Sequence, residues 1–298
     1  MTHASLFSGI GGCEVAAAML GWENLFHCEI NPFGRAVLDY WFPNSESYED
    51  ITKTNFEKWR GRVDVLTGGF PCQPFSHAGQ RRGEEDDRFL WPEMLRAIQE
   101  CRPTWVVGEN VVGISTMVQQ GDIVEVGSQT SLFGETDAFH TYQMRQGFVL
   151  DGICTDLERN GYKVQPLAIP ACAIGAPHRR MRIFIIAQDT MRVGREGEVA
   201  IGQHTSLIGN IGAASRDGKT QSLIASIAPM DHWKAFPTES PIHRGNDGIP
   251  FHVDGLAIPF NKWRQEALKA YGNAIVPQVM YEIFKAIEQV EHETSTSK

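Results

Sequence analysis

Near the start of the chain, a short apolar run three times ends in glycine or an acid and hands over to a new segment. That rhythm restricts the fold more than any other feature of the sequence. Ser5-Leu6-Phe7 runs into Ser8-Gly9-Ile10-Gly11-Gly12, and Cys13 to Leu20 then has a helical pattern closed by Gly21. Trp22 to Ile30 reads as a second strand with Glu29 near its end, followed by a helix from Pro32 to Tyr40 with proline in its first turn. Tyr48-Glu49-Asp50-Ile51 is a third strand end. Successive strand–helix units of this kind predict an open α/β sheet that binds its ligand at the strand tips. The glycine turn exposes bare N–H groups and a helix N-terminus, which is a nucleotide-type site. Glu14 stands where the dinucleotide fingerprint needs a third glycine, so a nicotinamide cofactor is disfavoured. A carboxylate near this turn suits a cationic or zwitterionic ligand. Glu29 is placed to accept from a ribose diol and Asp50 from an adenine amino group.

The second constraint is Asp64-Val65-Leu66-Thr67-Gly68-Gly69-Phe70-Pro71-Cys72-Gln73-Pro74-Phe75-Ser76. Val63, Val65 and Leu66 form a short strand, two glycines end it, and Pro71 and Pro74 bracket Cys72 in a loop of restricted freedom. A loop cysteine alone is more often inert, but a thiol presented at the mouth of such a sheet is a candidate nucleophile. Phe89 to Cys101 is a helix with Leu90, Met94, Leu95 and Ile98 on one face, stopped by Pro103. The strand Thr104-Trp105-Val106-Val107 ends in Gly108-Glu109-Asn110-Val111, and a carboxylate there is a candidate general acid. The six cysteines include no Cys-x-x-Cys pair, so they read as reduced thiols and not as a disulfide frame or a zinc site. The net charge of -9 argues against a non-specific nucleic-acid coat but permits a local basic face. No apolar run reaches about 18 residues, and Met1-Thr2-His3-Ala4 lacks the layout of a signal peptide, so a cytoplasmic protein without a membrane span is expected.

The remaining pattern divides the chain. Residues 1–187 read as the catalytic, ligand-binding domain, carrying a polar surface insertion at about 115–148 that is compatible with a hairpin. Within it, Val149 to Asn160 is a helix and Tyr162 to Ile169 a strand. Arg179, Arg180 and Arg182 lead into the buried strand Ile183-Phe184-Ile185-Ile186-Ala187, and arginines there need an anion or a carboxylate. Residues 188–258 are loop-rich and suited to reading a partner's surface, with Arg244 and Asn246 on a turn. Residues 259–298 return as C-terminal helices: Trp263 to Ala270, a turn at Tyr271-Gly272-Asn273-Ala274, and an amphipathic helix opened by Val276-Pro277.

With Phe7-Ser8-Gly9-Ile10-Gly11-Gly12, Gly69-Phe70-Pro71-Cys72-Gln73, Gly108-Glu109-Asn110-Val111, the His178 to Arg182 cluster and Gly272-Asn273-Ala274-Ile275-Val276-Pro277-Gln278, the chain resembles the DNA (cytosine-5) methyltransferases of bacteria and phages. The resemblance implies a Rossmann-like S-adenosylmethionine-dependent sheet with a small target-recognition domain at 188–258. It places the cofactor, released as S-adenosylhomocysteine, on Phe7, Gly9, Ile10, Gly11 and Gly12, then on Glu29, Ile30, Asp50 and Ile51, and on Gly69, Pro71, Asn273 and Ala274. Cys72 takes the nucleophile's role and Glu109 that of the acid, with Arg180 and Arg182 flanking the ring and the phosphate. No metal is expected. Double-stranded DNA is the expected partner, touched by Gln73, Ser76, Arg81, Arg82 and Arg88 in the loop after Pro71, and by Arg244 and Asn246. A monomer is expected, with any cognate restriction endonuclease acting separately in a bacterial or phage-infected cell. His178 stands where many members carry glutamine. A tRNA-methylating branch shares the chemistry, but Gly69-Phe70-Pro71 and the segment after Arg182 favour DNA. A catalytically idle DNA-binding regulator is disfavoured by intact Cys72 and Glu109.

Overall fold

The computed structural model describes residues 1–71, 90–119, 123–129, 139–144, 147–190 and 259–296. A seven-stranded sheet forms the centre, in the order Tyr162–Pro170, Met181–Asp189, Trp105–Val111, Val65–Gly68, Thr2–Leu6, Glu23–Cys28 and Glu46–Tyr48. The first half supplies β1 (Thr2–Leu6), β2 (Glu23–Cys28), β3 (Glu46–Tyr48), β4 (Val65–Gly68) and β5 (Trp105–Val111), all paired in parallel. The second half adds β10 (Tyr162–Pro170) and β11 (Met181–Asp189), and β11 lies antiparallel between β5 and β10. The strand tips that carry Phe7, Glu29, Asp50, Gly69 and Glu109 therefore share one edge.

Alternation along the central strands sorts the core into two layers. Leu66, Val106, Ile183 and Ile185 pack on one face with α3 (Trp91–Cys101) and α4 (Val149–Arg159), through Met94, Ile98, Ile153 and Leu157. Val65, Val107 and Phe184 pack on the other with α1 (Gly12–Met19) and α6 (Pro277–Thr296), through Ala16, Ala17, Met280, Ile283 and Phe284. A third cluster joins Phe33 and Val37 of α2 (Pro32–Trp41) to Trp263 and Ala267 of α5 (Phe260–Asn273), so α5 lies over the edge that carries the strand tips.

β1 carries polar groups on its α1/α6 face. His3 is fully buried, 2.6 Å from Asn24 Oδ1 through Nδ1 and 3.0 Å from Thr67 Oγ1 through Nε2. Asn24 Nδ2 donates to the Glu14 carbonyl, which leaves Oδ1 as acceptor and fixes His3 as the Nδ1–H tautomer, with Thr67 donating to Nε2. Burial lowers the His3 pKa to about 4, against the opposing pull of Asn24. The folded chain thus binds fewer protons than the unfolded one between about 4 and 6.5. Stability from this site is present above that window and lost as pH falls through it.

Several boundaries differ from the sequence reading. β4 runs Val65–Gly68, two places later than expected, and Met94 fills the space where a side chain at Gly68 would stand (2.8 Å to its Cε). β11 extends through Asp189, so the sheet continues past the expected domain boundary at 187. The turn expected at Tyr271–Ala274 is the last turn of α5, which ends at Asn273. In the 115–148 segment, β6 (Val118–Gln119) pairs with β9 (Gly147–Phe148), and β7 (Ile123–Gln129) pairs with β8 (Phe139–Met144) as an antiparallel ribbon. Among the described residues no helix is long and apolar enough to cross a membrane.

Candidate active site

The turn after β1 is held in an unusual backbone conformation. Phe7 has φ 53, Gly9 φ 61 and Gly11 φ 92, and a non-glycine residue at such an angle is a strained position of the kind found at functional sites. Ser8 N–H donates to the Cys28 carbonyl at 3.2 Å and Gly11 N–H to the Ser8 carbonyl at 3.1 Å, closing the turn. Gly9 N–H donates to Glu29 Oε2 and Asn31 N–H to Glu29 Oε1, both at 2.7 Å. Burial raises the Glu29 pKa, and these N–H groups and Arg35 oppose the rise. The carboxylate is thus fixed in place with lone pairs left to accept hydroxyl groups.

These elements enclose a cavity of about 650 Å³, within the range of small-molecule sites. Phe7, Gly9 and Ile10 form one wall, Glu29, Ile30, Asp50 and Ile51 a second, and Gly69 and Pro71 a third, while Asn273 and Ala274 close it from α5. Gly11 and Gly12 do not line it: Gly12 is where α1 meets Ile275, whose Cγ2 would be 2.3 Å from an added Cβ. Asp50 faces the cavity with its carboxylate engaged, Oδ1 by Thr52 and Oδ2 by Lys53 at 2.8 Å, and the Lys53 contact leads in lowering its pKa to about 2. Asn31, Phe33, Gly34, Lys269 and Ala270 also line the cavity. Asn31 follows directly on Glu29-Ile30 and caps α2 by accepting from Phe33 N–H at 2.8 Å, a cap readable from Asn31-Pro32. Lys269 and Ala270 carried no such signal.

Gly34 is a close-approach glycine. A Cβ there would stand 2.5 Å from the Gly9 carbonyl and 3.2 Å from Glu29 Cγ, so the first turn of α2 seats against the cavity wall only without a side chain. Gly34→Ala is expected to destabilise the fold by about 1–3 kcal/mol, the usual cost of overpacking. It should also weaken adenosine-ligand binding at least about ten-fold. Thermal melting and calorimetric titration check both effects, and unchanged affinity would show that the turn tolerates displacement.

At the other end of the edge, Glu109 sits on β5 opposite Phe184 of β11. Its Oε1 lies 3.0 Å from Arg182 Nε, and Oε2 would be 3.5 Å from a Cβ added at Gly69, so the carboxyl faces the loop that leads to Cys72. Burial raises its pKa, opposed by Arg182 and Arg180. Asn110 Nδ2 donates to the Phe70 carbonyl at 2.9 Å, and Phe70 is itself buried against Trp91, which anchors the chain just before Pro71. Arg180, at φ 22, was expected at the ring or the phosphate. Its guanidinium donates to the carbonyls of Gly272 (2.8 Å) and Ala274 (2.7 Å), holding the segment around Asn273. His178, two residues before Arg180, is exposed.

Cys72, Gln73, Ser76, Arg81, Arg82, Arg88, Arg244 and Asn246 lie outside the described residues. Among the described cysteines, burial pushes the thiols of Cys28 and Cys101 up to about 12 and that of Cys154 to about 11, and Cys13 also upward, so none of these is a thiolate near neutral pH. Glu14, expected beside the ligand, is instead fully buried behind the turn.

The sequence model of the C-5 cytosine-specific DNA methylases matches residues 1–130 and 141–210. The chain belongs to that family. The match passes over residues 131–140, inside the inserted segment. Among curated relatives, the type II methyltransferase M.PspPI of Psychrobacter sp. is 42% identical over 112 residues, covering 37% of this chain and 27% of its own. M.Eco47II of Escherichia coli is 31% identical over 189 residues, covering 62% and 39%. A relative from Escherichia phage P1, named a DNA N-6-adenine-methyltransferase, is 35% identical over 213 residues, covering 63% and 28%. The matched part of the chain thus spans between about a quarter and two-fifths of these relatives' lengths. The crystal structure of the S. pombe Dnmt2 methyltransferase superposes with a TM-score of 0.58 over 97% of this chain and 99% of that one, at 14% identity, a likeness of fold.

Proposed function

We propose that this chain transfers a methyl group from S-adenosylmethionine to carbon-5 of a cytosine flipped out of duplex DNA, with Cys72 as nucleophile and Glu109 as acid. The observation that best supports this reading is the shared edge. A cavity with carboxylates suited to an adenosine runs from Glu29 and Asp50 to Gly69 and Pro71, and Glu109 faces Gly69 beside it. The cavity fits the cofactor by its volume, its fixed Glu29 carboxylate and its side-chain-free wall at Gly9 and Gly34. When bound, S-adenosylmethionine supplies the electrophilic methyl group that carbon-5 accepts.

Carbon-5 of cytosine is too weak a nucleophile to react unaided. The Cys72 thiolate adds to carbon-6, breaking the aromatic ring and making carbon-5 enamine-like. Glu109 hydrogen-bonds or protonates ring nitrogen-3 as charge develops there, and Arg182 keeps the carboxyl aimed. Loss of the carbon-5 proton and expulsion of Cys72 then restore the ring. The ring face is reachable only outside the stack, at a cost of a few kcal/mol in lost stacking and pairing. The segment around Ser76 to Arg88 and residues 188–258 are assigned to offsetting that cost and to reading the flanking sequence. Transfer to the exocyclic nitrogen of adenine, the activity in the phage P1 relative's name, needs no covalent attack on the ring and would leave Cys72 and Glu109 without a task.

Bisulfite sequencing of DNA from cells expressing the chain should locate converted-resistant cytosines in one short sequence context. Exchange of residues 188–258 with those of a relative should move that context, since each good base contact contributes about 1–3 kcal/mol of discrimination. Methylation confined to tRNA, or to adenine, would overturn the substrate assignment. An unchanged context after the exchange would shift recognition to the β7–β8 ribbon.

A further inference from the structure

Glu14 lies in the first turn of α1, and its side chain has no exposure to solvent. Oε1 meets Ser5 Oγ on β1, whereas Oε2 is buried with no hydrogen-bond partner. Ser5 Oγ is in turn 2.5 Å from Ser8 Oγ in the turn that carries Phe7 and Gly9. Ser8 Oγ accepts from Cys28 N–H at 3.2 Å and lies 3.3 Å from the Cys28 carbonyl oxygen, one residue before Glu29. A chain of hydroxyl groups therefore joins α1 to both walls of the cavity.

The direction of that chain depends on one proton. With Glu14 protonated on Oε1, its O–H donates to Ser5, Ser5 donates to Ser8, and Ser8 donates to the Cys28 carbonyl. Every hydroxyl then both gives and receives, and the partnerless Oε2 is a neutral carbonyl oxygen. Without the proton, Ser5 donates to Glu14 and Ser8 to Ser5. The Ser8 contact with the Cys28 carbonyl is withdrawn, and charge is left on a buried oxygen with no donor. An unpaired buried charge costs far more than an unpaired neutral oxygen.

We propose that Glu14 is a positioning residue for cofactor binding, holding the Phe7–Gly9 turn through Ser5 and Ser8, and that it does so in its neutral, proton-donating form. This rests on the assignment of the cavity to S-adenosylmethionine. Burial, offset by Ser5 and reinforced by Glu29, raises the Glu14 pKa to about 7. The groups around it are His3 and Ser5 on β1, Ser8 in the turn that follows, Asn24 on β2, Glu29 just past the end of β2, Thr67 on β4 and Cys13 on its own helix. His3 is held neutral and the Cys13 thiol is pushed upward, which leaves Glu14 and Glu29, both raised by burial, as the acids of this set.

The test is calorimetric titration of the full chain with S-adenosylhomocysteine from about pH 6 to 8.5, a span centred near the raised carboxyl. The homocysteine product lacks the sulfonium charge, which would mask the effect by attraction to ionised carboxylates. Wild-type affinity should fall as pH rises through about 7. Glu14→Gln, whose amide can donate to Ser5 without titrating, should stay within about three-fold of wild type at low pH and lose that fall. Glu14→Ala should bind at least about ten-fold more weakly, with the loss in KM for the cofactor and kcat nearly unchanged at saturation. Ser8→Ala cuts the chain at its other end without emptying the core, so it carries the test if Glu14→Ala melts early. Wild-type affinity in Ser8→Ala or in a folded Glu14→Ala, a glutamine variant as weak as the alanine variant, or a persisting pH dependence in Glu14→Gln would overturn the proposal. A wild-type chain that binds neither S-adenosylmethionine nor its product at any pH would instead overturn the cofactor assignment.

Discussion

Cys72→Ser is expected to reduce methyl transfer to background while leaving DNA and cofactor binding near wild type. The serine hydroxyl is close in size to the thiol but far from ionised at neutral pH, so addition to carbon-6 loses its nucleophile. The other cysteines offer no replacement. Cys13, Cys28, Cys101 and Cys154 have thiols pushed upward by burial, and Cys172 follows β10, the outermost strand of the sheet, with β11 standing between it and β5. Transfer of tritiated methyl to duplex DNA, alongside gel-shift binding, separates the two effects. Turnover in the serine variant within about ten-fold of wild type would remove the covalent step from the mechanism.

Glu109→Gln is expected to slow the reaction about a hundred- to ten-thousand-fold, the range for loss of a positioned acid. The amide keeps the shape that Gly69 and Arg182 enclose but cannot deliver a proton to ring nitrogen-3. Burial raises the Glu109 pKa despite Arg182 and Arg180, so the acid remains protonated to higher pH than an exposed glutamate. The rate of the wild-type chain should therefore decline as pH rises through that raised value, and the glutamine variant should lose this limb. The pH profile of kcat under single-turnover conditions checks both. A rate within a few-fold of wild type would assign the acid to another group.

Much of this arrangement was legible because chemistry and backbone punctuation coincide in the sequence. Glu29, Asp50, Gly69 and Glu109 each end an apolar run, and parallel pairing of β1 to β5 puts such ends on one edge. The position of β11 was not legible, since nothing local in an apolar strand says that it enters antiparallel between β5 and β10. Glu14 illustrates a different limit. Its spacing from the glycines placed it near the turn, but its direction depends on Ser5, a partner on another element whose orientation only pairing fixes. Gly272-Asn273 read as a turn from low helix propensity, and packing of α5 against α2 overrides that preference. The acceptors of the Arg180 guanidinium, the Gly272 and Ala274 carbonyls, were not legible either, since they lie 92 and 94 residues along the chain.

The central claim is that the Cys72 sulfur bonds to carbon-6 of the target base in the course of methyl transfer. Duplex DNA carrying 5-fluorocytosine at the methylated position tests it directly, because fluorine cannot leave carbon-5 as a proton does and the adduct cannot resolve. With S-adenosylmethionine present, the account predicts a complex that survives denaturation, with the nucleotide mapped by mass spectrometry to the peptide containing Cys72. Full methylation of ordinary DNA with no such adduct, or an adduct on another residue, would contradict it.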